Sequence, residues 1–395
     1  MLTTDIKDQV LSSLIQLINK NKQAILQVNA VDVSAYQGSD ESMLDRLKVN
    51  KEKIAGMVSA IKKAIDLEDP EGKILYHHAH ENGMDVKCKT VPFGTILIIY
   101  ESRPDVTIEA AITAFKAGNK ILLKGGKEAV NTNLLLTDLW KMALQMNAVN
   151  LEYVIYLDLP RKETQRLIRE NTHDVDLIIP RGGEGLIQFV QQNTTIPTIV
   201  SGRGNNFMYI DVESDFSMAT KVALNGKSRI SVCNALDKVL LDSNISGIEE
   251  KTIRLVEELI SNGITVMGDQ KLVDLSAKVK LYEEETILAE EFLAKKILLK
   301  IVNGMDEAIL VINKNSGKHS AVIISSNENH AETFLHEVDC AAVYHNASTR
   351  FTDGGQFGFG AEMAISTQKS HFRGPIGIDQ LVTNKWFIKG DGQIR

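Results

Sequence analysis

Apolar residues recur in the first part of the chain with two different spacings. From Ile6 to Ile18 they return every three or four residues, which predicts a single amphipathic helix over residues 3–30, and a second helical pattern covers residues 45–66. Two short segments then flank Asn82 and Gly83, a pair that favours the tight turn of a β-hairpin. We therefore expect N-terminal helices followed by a hairpin over residues 75–91.

From Pro92 onward the pattern changes. Wholly apolar runs such as TILIIYE, KILLK and VDLIIP alternate with helical patterns. Strands that are apolar on both faces and alternate with helices are typical of a parallel sheet covered on both sides. The sequence therefore predicts a doubly wound α/β unit over residues 92–225, with IPTIVSG as one of its strands. A smaller α/β unit is expected to follow, ending near residue 346.

Charge and cysteine content narrow the class of protein. The 395 residues include 44 Lys and Arg against 51 Asp and Glu, a net charge of −7 that argues against nucleic-acid binding. No apolar run approaches the roughly 20 residues needed to span a bilayer, and the N-terminal segment lacks the pattern of a secretory signal. Three widely spaced cysteines predict neither a disulfide framework nor a zinc site. We expect a reduced, cytoplasmic enzyme, and we assign no residue to a metal.

One cysteine is the candidate for chemistry. No GxGxxG follows a predicted strand, and the segment around Gly226 and Lys227 resembles a phosphate-binding loop whose first glycine is replaced by Lys221. Cys233 lies at the start of the second α/β unit, at the predicted junction between domains, where pockets commonly form. The alternative is a buried, inert cysteine.

Several segments together resemble a known family. They are PFGTILIIYESRPDVTIEAA, LLKGGKEA, VDLIIPRGGEGLIQFV, SVCNAL, and STRFTDGGQFGFGAEMAIST followed by RGPIGI. In this order they are similar to the γ-glutamyl phosphate reductases (glutamate-5-semialdehyde dehydrogenases), a branch of the aldehyde dehydrogenase superfamily, over nearly the whole chain. The resemblance implies an aldehyde-dehydrogenase-like α/β fold. It also implies NADPH-dependent reduction of L-glutamyl 5-phosphate to L-glutamate 5-semialdehyde, with release of phosphate, in proline biosynthesis.

The resemblance also implies roles for substrate-side residues. Cys233 becomes the nucleophile, because a thiolate attacks an acyl phosphate readily and leaves a thioester. Ser102 and Arg103 stand where the superfamily keeps an oxyanion-hole asparagine, so Arg103 is expected to be a cation near the acyl phosphate. A structural ion pair is the alternative for Arg103. Asn205 is expected to donate a hydrogen bond to the substrate.

Four further residues are expected to contact the cofactor. Lys124 matches the superfamily lysine at the adenosine ribose, and its charge suits the 2′-phosphate of NADPH. Gly182 and Gly183 precede a helix, whose N-terminal N–H groups can approach phosphate oxygens. Glu291 matches the glutamate that holds the nicotinamide ribose. A solvated strand-end lysine and a surface glutamate are the alternatives for Lys124 and Glu291.

The expected architecture has three parts. Residues 1–228 form the cofactor-binding domain, residues 229–347 the catalytic domain, and residues 348–395 return to the first domain. The C-terminal segment LVTNKWFIKGDG alternates like a strand that has nothing nearby to pair with, so it and the hairpin are expected to contact another subunit. We expect a homodimer or homotetramer, with γ-glutamyl kinase as a further candidate partner.

Two blocks depart from the family pattern and keep other hypotheses open. Residues 200–207 read VSGRGNNF where the family reads close to ETGxGNCH, so Val200, Asn206 and Phe207 replace a carboxylate, a cysteine and a histidine. Ser231 replaces a glycine before Cys233. An NAD(P)-dependent aldehyde dehydrogenase of another substrate would need a water-activating glutamate near residue 200, which the sequence lacks. The altered block is also compatible with a weakly active scaffold paralogue.

Overall fold

The chain forms two units. The structure, a computed structural model, describes residues 2–39, 41–230, 232–360 and 362–395. Unit 1 contains the chain up to Val200 together with Gly358–Ala364 and Ile376–Arg395, and unit 2 contains Ser201–Phe357 and Ile365–Pro375. Residues 201–228, which the sequence assigned to the first domain, therefore lie in unit 2.

Unit 1 begins with helices and continues as alternating strands and helices. Its helices are α1 (Thr4–Lys20), α2 (Lys22–Ala35), α3 (Glu41–Leu47), α4 (Lys51–Asp66), α5 (Val106–Lys116), α6 (Val130–Met146), α7 (Arg161–Glu170) and α8 (Glu184–Asn193). Its first six strands are β1 (Ile74–Ala79), β2 (Asp85–Pro92), β3 (Thr95–Tyr100), β4 (Lys120–Lys124), β5 (Val154–Tyr156) and β6 (Leu177–Arg181). The single helix expected near the N-terminus is thus two helices, which meet at Asn21.

The central sheet of unit 1 has four parallel strands in the order β5-β4-β3-β6. Helices α7 and α8 cover one face through Leu167, Ile168 and Val190. The core of the unit also contains Phe115 and Trp140, from α5 and α6, whose rings meet edge to face at 5.4 Å. A parallel sheet of wholly apolar strands interleaved with helices is what the sequence predicted, and that prediction is confirmed.

A separate antiparallel sheet joins the hairpin to the C-terminal strand. Strand β1 pairs with β2 through the expected turn, in which Gly83 has φ +89°. The last strand of the chain, β16 (Val382–Lys389), pairs with the other edge of β2 over its full length. The expectation that this strand has no partner within the chain is therefore wrong, because the hairpin leaves the second hydrogen-bonding edge of β2 for β16.

Unit 2 contains a seven-stranded parallel sheet in the order β10-β9-β11-β8-β7-β12-β13. The strands are β7 (Asn206–Ile210), β8 (Leu236–Asp242), β9 (Thr265–Gly268), β10 (Lys280–Leu281), β11 (Lys296–Val302), β12 (Ser320–Ile324) and β13 (Ala342–His345). The helices are α9 (Phe216–Gly226), α10 (Ile248–Ser261), α11 (Gln270–Leu275), α12 (Met305–Asn315) and α13 (Glu328–Glu337). Two short strands, β14 (Ala364–Ser366) and β15 (Gly374–Ile376), complete the set.

Apolar clusters lie on both faces of the seven-stranded sheet. Helices α9, α10 and α11 contribute to one cluster, for example through Ala223, Leu255 and Leu272. Helices α12 and α13 contribute to the other, for example through Ile312 and Phe334. The central strands β7, β8 and β12 are buried along their whole length. This is the second α/β unit that the sequence predicted.

One predicted strand is wrong. The segment IPTIVSG forms only isolated bridges, from Thr198 to Ile178 and from Ser201 to Ser366. The next apolar run, at Asn206–Ile210, is the strand β7, and it pairs with β8 and β12. Pairing with these two strands places β7 in unit 2, which is why that unit begins before the boundary expected at residue 229.

Candidate active site

Cys233 lies in the loop between α9 and β8, and its side chain is partly exposed. Because β7, β8 and β12 are parallel, their first residues meet at one edge of the sheet, and the Cys233 loop lies at this edge. The altered position Ser231 lies outside the described residues. Cys88 and Cys340 are both buried, so Cys233 is the most accessible of the three thiols.

Asn206, the first residue of β7, binds the backbone of Cys233 and of Ala235, two residues further along the loop. Its fully buried amide donates to the carbonyl oxygens of Cys233 at 2.8 Å and Ala235 at 2.6 Å, and its Oδ1 accepts the Ser320 N–H at 3.0 Å. Gly204 packs against the same backbone, since a methyl group at this position would overlap the carbonyl and Cα of Cys233. The residue that replaces the family's cysteine is therefore the main anchor of the nucleophile loop.

Asn234 anchors the other side of this loop. Its amide donates to the carbonyl oxygens of Arg350 at 3.1 Å and Thr352 at 3.0 Å, and its own carbonyl accepts the Thr349 hydroxyl at 2.9 Å. The Arg350 guanidinium in turn donates to Asn234 Oδ1. The turn Thr349–Phe351 is thus bound to the residue that follows the nucleophile.

The Arg350 guanidinium gives this neighbourhood positive charge. Burial lowers its pKa, and the nearby Arg229 lowers it further, whereas Asp353 and an ionised Cys233 oppose the shift. Arg229 precedes Cys233 in the same loop, and its side chain is exposed. The Arg350 guanidinium is bound to the residue that follows Cys233, and a cation beside a thiol favours the thiolate, which is the reactive nucleophile.

Buried hydroxyl groups continue the hydrogen bonding beneath the loop. Ser320 Oγ lies 2.7 Å from Thr352 Oγ1, which lies 2.7 Å from the Tyr344 hydroxyl. His319 Nδ1 contacts Ser320 Oγ at 2.8 Å, and burial lowers the pKa of His319 to about 4, so this imidazole is neutral at neutral pH. We call Asn206, Asn234, Ser320, Thr352 and Tyr344 the neutral network, because none of these groups is charged at neutral pH.

Asn205 points to the opposite side of β7 and lies in a charged environment. Its amide donates to the carbonyl oxygens of Leu288 at 2.7 Å and Asn315 at 2.8 Å, while its Oδ1 accepts from Lys238 Nζ at 2.8 Å. The side chain is fully buried, and both amide hydrogens are already donated. In this arrangement Asn205 has no donor left for a substrate, so its contacts are those of a positioning residue.

Three lysines surround the ring of Phe292. Nζ lies 3.5 Å from the ring centroid for Lys238, 3.9 Å for Lys296 and 5.9 Å for Lys227. Lys227 pairs with the buried Asp237 at 2.5 Å, and the other oxygen of Asp237 accepts the Phe292 N–H at 2.7 Å. We call Lys227, Lys238 and Lys296 with Phe292 the lysine cluster.

The lysine cluster adjoins the predicted cofactor residue Glu291. Glu291 Oε1 accepts the Gly204 N–H at 2.9 Å, and Lys238 donates to the Glu290 carbonyl at 2.7 Å. Burial lowers the pKa of Lys238 to about 7, Asp237 and Glu290 oppose that shift, and Lys227 and Lys296 add to it. The segment Gly204–Asn206 therefore connects the loop of Glu291 to the loop of Cys233.

In unit 1 the end of β4 carries a cation. Lys124 Nζ donates to the Gly125 carbonyl at 2.8 Å, and burial lowers its pKa. Within the part of the chain that the structure describes, no carboxylate lies within ion-pair distance of it. Gly126 approaches the backbone of Glu101 and Ser102, where an added Cβ would lie 3.4 Å from main-chain atoms. A half-buried lysine beside two glycines is suited to an anionic ligand.

Gly182 and Gly183 lie at the N-terminus of α8, as predicted. The Gly183 N–H donates to Glu101 Oε1 at 2.8 Å, and a Cβ on Gly182 would lie 2.8 Å from the same oxygen. The Gly183 N–H, which we expected to face a phosphate, is therefore bound to a carboxylate of the chain itself. The helix dipole favours a negative charge of either kind at this position.

Arg103 and Ser102 make local contacts within unit 1. Arg103 Nη2 lies 3.2 Å from Asp105 Oδ2, and Ser102 Oγ donates to Glu128 at 3.3 Å. Ser102 is buried, whereas the Arg103 side chain is nearly half exposed. The ion pair that we gave as the alternative for Arg103 is therefore present, and the contact with the acyl phosphate stays a prediction.

Within unit 1, the end of β4 fits the anionic part of a nicotinamide dinucleotide. The observation that carries the fit is the half-buried cation at Lys124, whose Nζ donates to the Gly125 carbonyl, beside glycines that a Cβ would crowd. The contact of Lys124 with the adenosine ribose and that of Glu291 with the nicotinamide ribose stay predictions. A bound nicotinamide would supply the two electrons of a reduction.

Sequence reasoning missed several residues around the thiol. Asn206 was noted only as a departure from the family, and Asn234, Arg350 and Lys238 were not singled out. A signal was present for two of them, since Asn234 directly follows the candidate cysteine and Arg350 lies in one of the segments that carry the resemblance. Nothing in the spacing of Lys238 distinguishes it from a surface lysine.

The described residues contain neither a membrane-spanning helix nor a group of metal ligands. None of their helices combines the length and the apolar character needed to cross a membrane. Among the same residues no three His, Cys, Asp or Glu side chains come together in a group that could hold a metal ion.

Comparisons with known proteins place the chain in a family. No family model matches it. The γ-glutamyl phosphate reductase of Clostridium kluyveri is 41% identical over 401 residues, which cover all of this chain and 94% of the relative. That of Dictyoglomus thermophilum is 39% identical over 398 residues, covering all of this chain and 95% of the relative.

Solved structures agree with this placement. The crystal structure of γ-glutamyl phosphate reductase from Thermotoga maritima has a TM-score of 0.95 at 39% identity, covering all of this chain and 95% of its own. An acetylating aldehyde dehydrogenase from Geobacillus thermoglucosidasius has a TM-score of 0.71 at 17% identity, with 100% and 93% coverage, and so shares the fold. The expected aldehyde-dehydrogenase-like fold is confirmed, and the chain belongs to the γ-glutamyl phosphate reductase family.

Proposed function

We propose that this protein reduces L-glutamyl 5-phosphate to L-glutamate 5-semialdehyde with NADPH, releasing phosphate, through a thioester on Cys233. This reaction belongs to proline biosynthesis. The observation that carries the proposal is identity of about 40% to γ-glutamyl phosphate reductases along the entire chain. The partly exposed Cys233 supports the thioester, because its loop is held by Asn206 and Asn234 and the Arg350 guanidinium is bound to the next residue.

The chain's own groups account for the chemistry at the thiol. The Cys233 thiolate attacks the acyl carbon, so a C–S bond forms while the C–O bond to phosphate breaks, and phosphate leaves with the electron pair. Reduction of the thioester and loss of the thiolate then release the aldehyde and restore Cys233. Asn206 and Asn234 hold the loop, so the sulfur keeps its position through both halves of the reaction.

The reverse reaction tests the proposal without the unstable acyl phosphate. The full chain is mixed with glutamate 5-semialdehyde, NADP⁺ and phosphate, and the absorbance of the reduced nicotinamide is followed. We expect phosphate-dependent NADPH formation that falls at least about 10³-fold in Cys233→Ser, since a hydroxyl is a much weaker nucleophile than a thiolate. Cys340→Ser is the matched control, because that buried sulfur already lies beside Ser316 Oγ at 3.7 Å.

The outcomes separate the competing hypotheses. NADPH formation that does not need phosphate would mean that water resolves the thioester, as in an aldehyde dehydrogenase of another substrate. A folded protein with no turnover would favour the scaffold paralogue. Retained turnover in Cys233→Ser would remove Cys233 from the mechanism.

NADPH specificity is a separate part of the proposal, supported by the half-buried Lys124 cation. Lys124→Ala is expected to raise the KM for NADPH about tenfold or more and the KM for NADH much less, because a charge-assisted contact with the 2′-phosphate is lost. Lys120→Ala, at the other end of β4, is the control. An equal rise for both cofactors would show that Lys124 does not read the 2′-phosphate.

Subunit contact and location complete the proposal. Strand β1 is exposed along its length, and Tyr76, Trp386 and Ile388 of the three-stranded sheet are each at least half exposed. An apolar face of this kind supports a homodimer or homotetramer, which sedimentation of the full chain would test. Contact with γ-glutamyl kinase and a cytoplasmic location stay predictions.

A further inference from the structure

We propose that Arg350 and Arg229 form the subsite that receives the phosphate group of the substrate beside Cys233. This inference rests on the proposed function and deepens it, because it assigns the binding of the leaving group to two residues of unit 2. From the sequence we expected Arg103 to be the cation near the acyl phosphate.

Arg350 is held against the residue that follows the nucleophile. Its guanidinium donates to the side chain of Asn234, the residue that follows the nucleophile, and its carbonyl accepts from the same side chain at 3.1 Å. The Thr349 hydroxyl donates to the Asn234 carbonyl at 2.9 Å. Three contacts to a single residue fix the turn that carries Arg350 relative to the nucleophile loop.

Arg350 differs from other arginines of unit 2 in its hydrogen-bond partners. Elsewhere in unit 2, Arg373 contacts the carboxylate of Asp339 at 2.7 Å, and Arg254 contacts that of Glu250. Arg350 instead donates to a neutral amide, and across the described ranges no carboxylate lies within ion-pair distance of its guanidinium. The nearby Asp353 accepts the Gly355 N–H at 2.9 Å and the Gln356 N–H at 3.2 Å. A guanidinium with five N–H donors therefore keeps most of them for a ligand.

A second cation, Arg229, and the Cys233 sulfur belong to the surroundings of Arg350. Arg229 lies four residues before Cys233 in the same loop, and Arg350 is bound to Asn234, the residue that follows Cys233. The effects of Arg229 and Cys233 on the pKa of Arg350 agree with this placement. Two like charges held near each other repel, and a bound dianion relieves that repulsion. Phosphate accepts paired hydrogen bonds from guanidinium groups, and arginine is the residue that presents them in a fixed plane.

These contacts suit the first half of the reaction. When sulfur attacks the acyl carbon, the C–O bond breaks and its electron pair moves onto the departing phosphate. Cations beside the sulfur stabilise that developing charge and also favour the thiolate. In the reverse direction the same subsite would hold the phosphate that attacks the thioester.

Alkylation of Cys233 tests the subsite without any turnover. The reaction rates of Cys233 with iodoacetate, an anion, and iodoacetamide, which is neutral, are measured by peptide mass spectrometry of the full chain. Their ratio reports local positive charge independently of thiol pKa, because both reagents need the thiolate. Phosphate protection is measured with iodoacetamide against sodium chloride at equal ionic strength.

We expect the iodoacetate-to-iodoacetamide ratio to fall about fivefold or more in Arg350→Gln, the effect of removing one charge at contact distance in water. Arg229→Gln is expected to lower it less, because its side chain is exposed to solvent. Arg254→Gln, which removes an equal charge from an exposed helix, is the control and should leave the ratio within twofold. Phosphate should slow alkylation of the unmodified protein but not of Arg350→Gln.

An unchanged ratio together with unchanged phosphate protection in both variants would overturn the inference. Should Arg350→Gln fail to fold, judged by circular dichroism, Arg229→Gln and phosphate protection of the unmodified protein decide. Failure of the proposed function has a different signature from loss of the subsite. In that case phosphate still protects Cys233 from alkylation, but the protein shows no phosphate-dependent turnover.

Discussion

The neutral network and the lysine cluster both contact the segment Gly204–Asn206, but they hold it by different physics. The neutral network binds Asn206 and the Cys233 loop through amides and hydroxyls. The lysine cluster binds Asn205 and the Glu291 loop through a buried ammonium group whose charge depends on pH. The thiol is thus supported by groups that keep one state over the working pH range, while the predicted cofactor residue is supported by groups that do not.

This difference gives meaning to the altered block at residues 200–207. An asparagine has both a donor and an acceptor, whereas the cysteine it replaces offers only weak hydrogen bonding. Asn206 uses its amide toward Cys233 and Ala235 and its carbonyl toward Ser320. The departure therefore places a stronger anchor under the nucleophile, which argues against the scaffold hypothesis.

The largest effect is expected from removing that anchor. Asn206→Ala leaves two buried carbonyl groups and one buried N–H without their partner, so the free energy of unfolding should fall by about 2–4 kcal/mol. Turnover should fall about 10²-fold, because a displaced sulfur loses its alignment with the acyl carbon. Chemical denaturation and the nicotinamide assay measure the two effects.

The control for Asn206→Ala is Asn262→Ala, which removes an exposed amide that donates to Glu258 at 2.8 Å in the same unit. It should change stability by less than about 1 kcal/mol and leave turnover unchanged. If Asn206→Ala loses stability yet keeps full turnover, Asn206 contributes to folding without positioning the nucleophile.

A smaller effect is expected from the lysine cluster, and it should depend on pH. Burial lowers the pKa of Lys238 to about 7, whereas the unfolded chain keeps its proton up to the ordinary value near 10.5. Between these pH values the unfolded state binds more protons than the folded state, so the free energy of unfolding should rise with pH. Lys238→Met removes this contribution. Between pH 7.5 and pH 9, its free energy of unfolding should therefore rise by about 1–2 kcal/mol less than that of the unmodified protein.

Denaturant unfolding at the two pH values measures this difference. Lys278→Met is the control, because Lys278 is mostly exposed and pairs with Glu257 at 3.2 Å. Its pH dependence should match that of the unmodified protein. Parallel pH dependence in Lys238→Met would mean that Lys238 keeps its charge in the folded state at both pH values.

The sequence predicted those parts of the fold that depend on local pattern. Apolar runs separated by helices predicted both parallel sheets, and Asn82 with Gly83 predicted the hairpin. The pattern could not assign the strand Asn206–Ile210 to its sheet, because that depends on pairing with two later strands, of which Ser320–Ile324 is far along the chain. The C-terminal strand was misjudged for the same reason, since its partner β2 is remote in sequence.

At the site, the sequence indicated which residues are present better than it predicted what their side chains contact. Cys233 was found from its motif, and its partial exposure is compatible with the expected role. Asn205 and Arg103 were expected to face the substrate, but a side chain's free donors depend on its neighbours, and here Lys238 and Asp105 are those neighbours. Arg350 could not be ranked above other arginines until its contact with Asn234 was known.

The smallest effect is expected at the edge of the neutral network. Tyr344→Phe removes one hydroxyl, 2.7 Å from Thr352 Oγ1, and leaves the ring in place. Thr352 keeps its hydrogen bond to Ser320, so the loss should be about 0.5–1.5 kcal/mol of stability and less than threefold in turnover. Because burial raises the pKa of Tyr344, its hydroxyl stays neutral throughout the working range, and the loss should be equal at pH 7 and pH 9. A loss that changes between these pH values would place a titrating group in the network and remove the contrast with the lysine cluster.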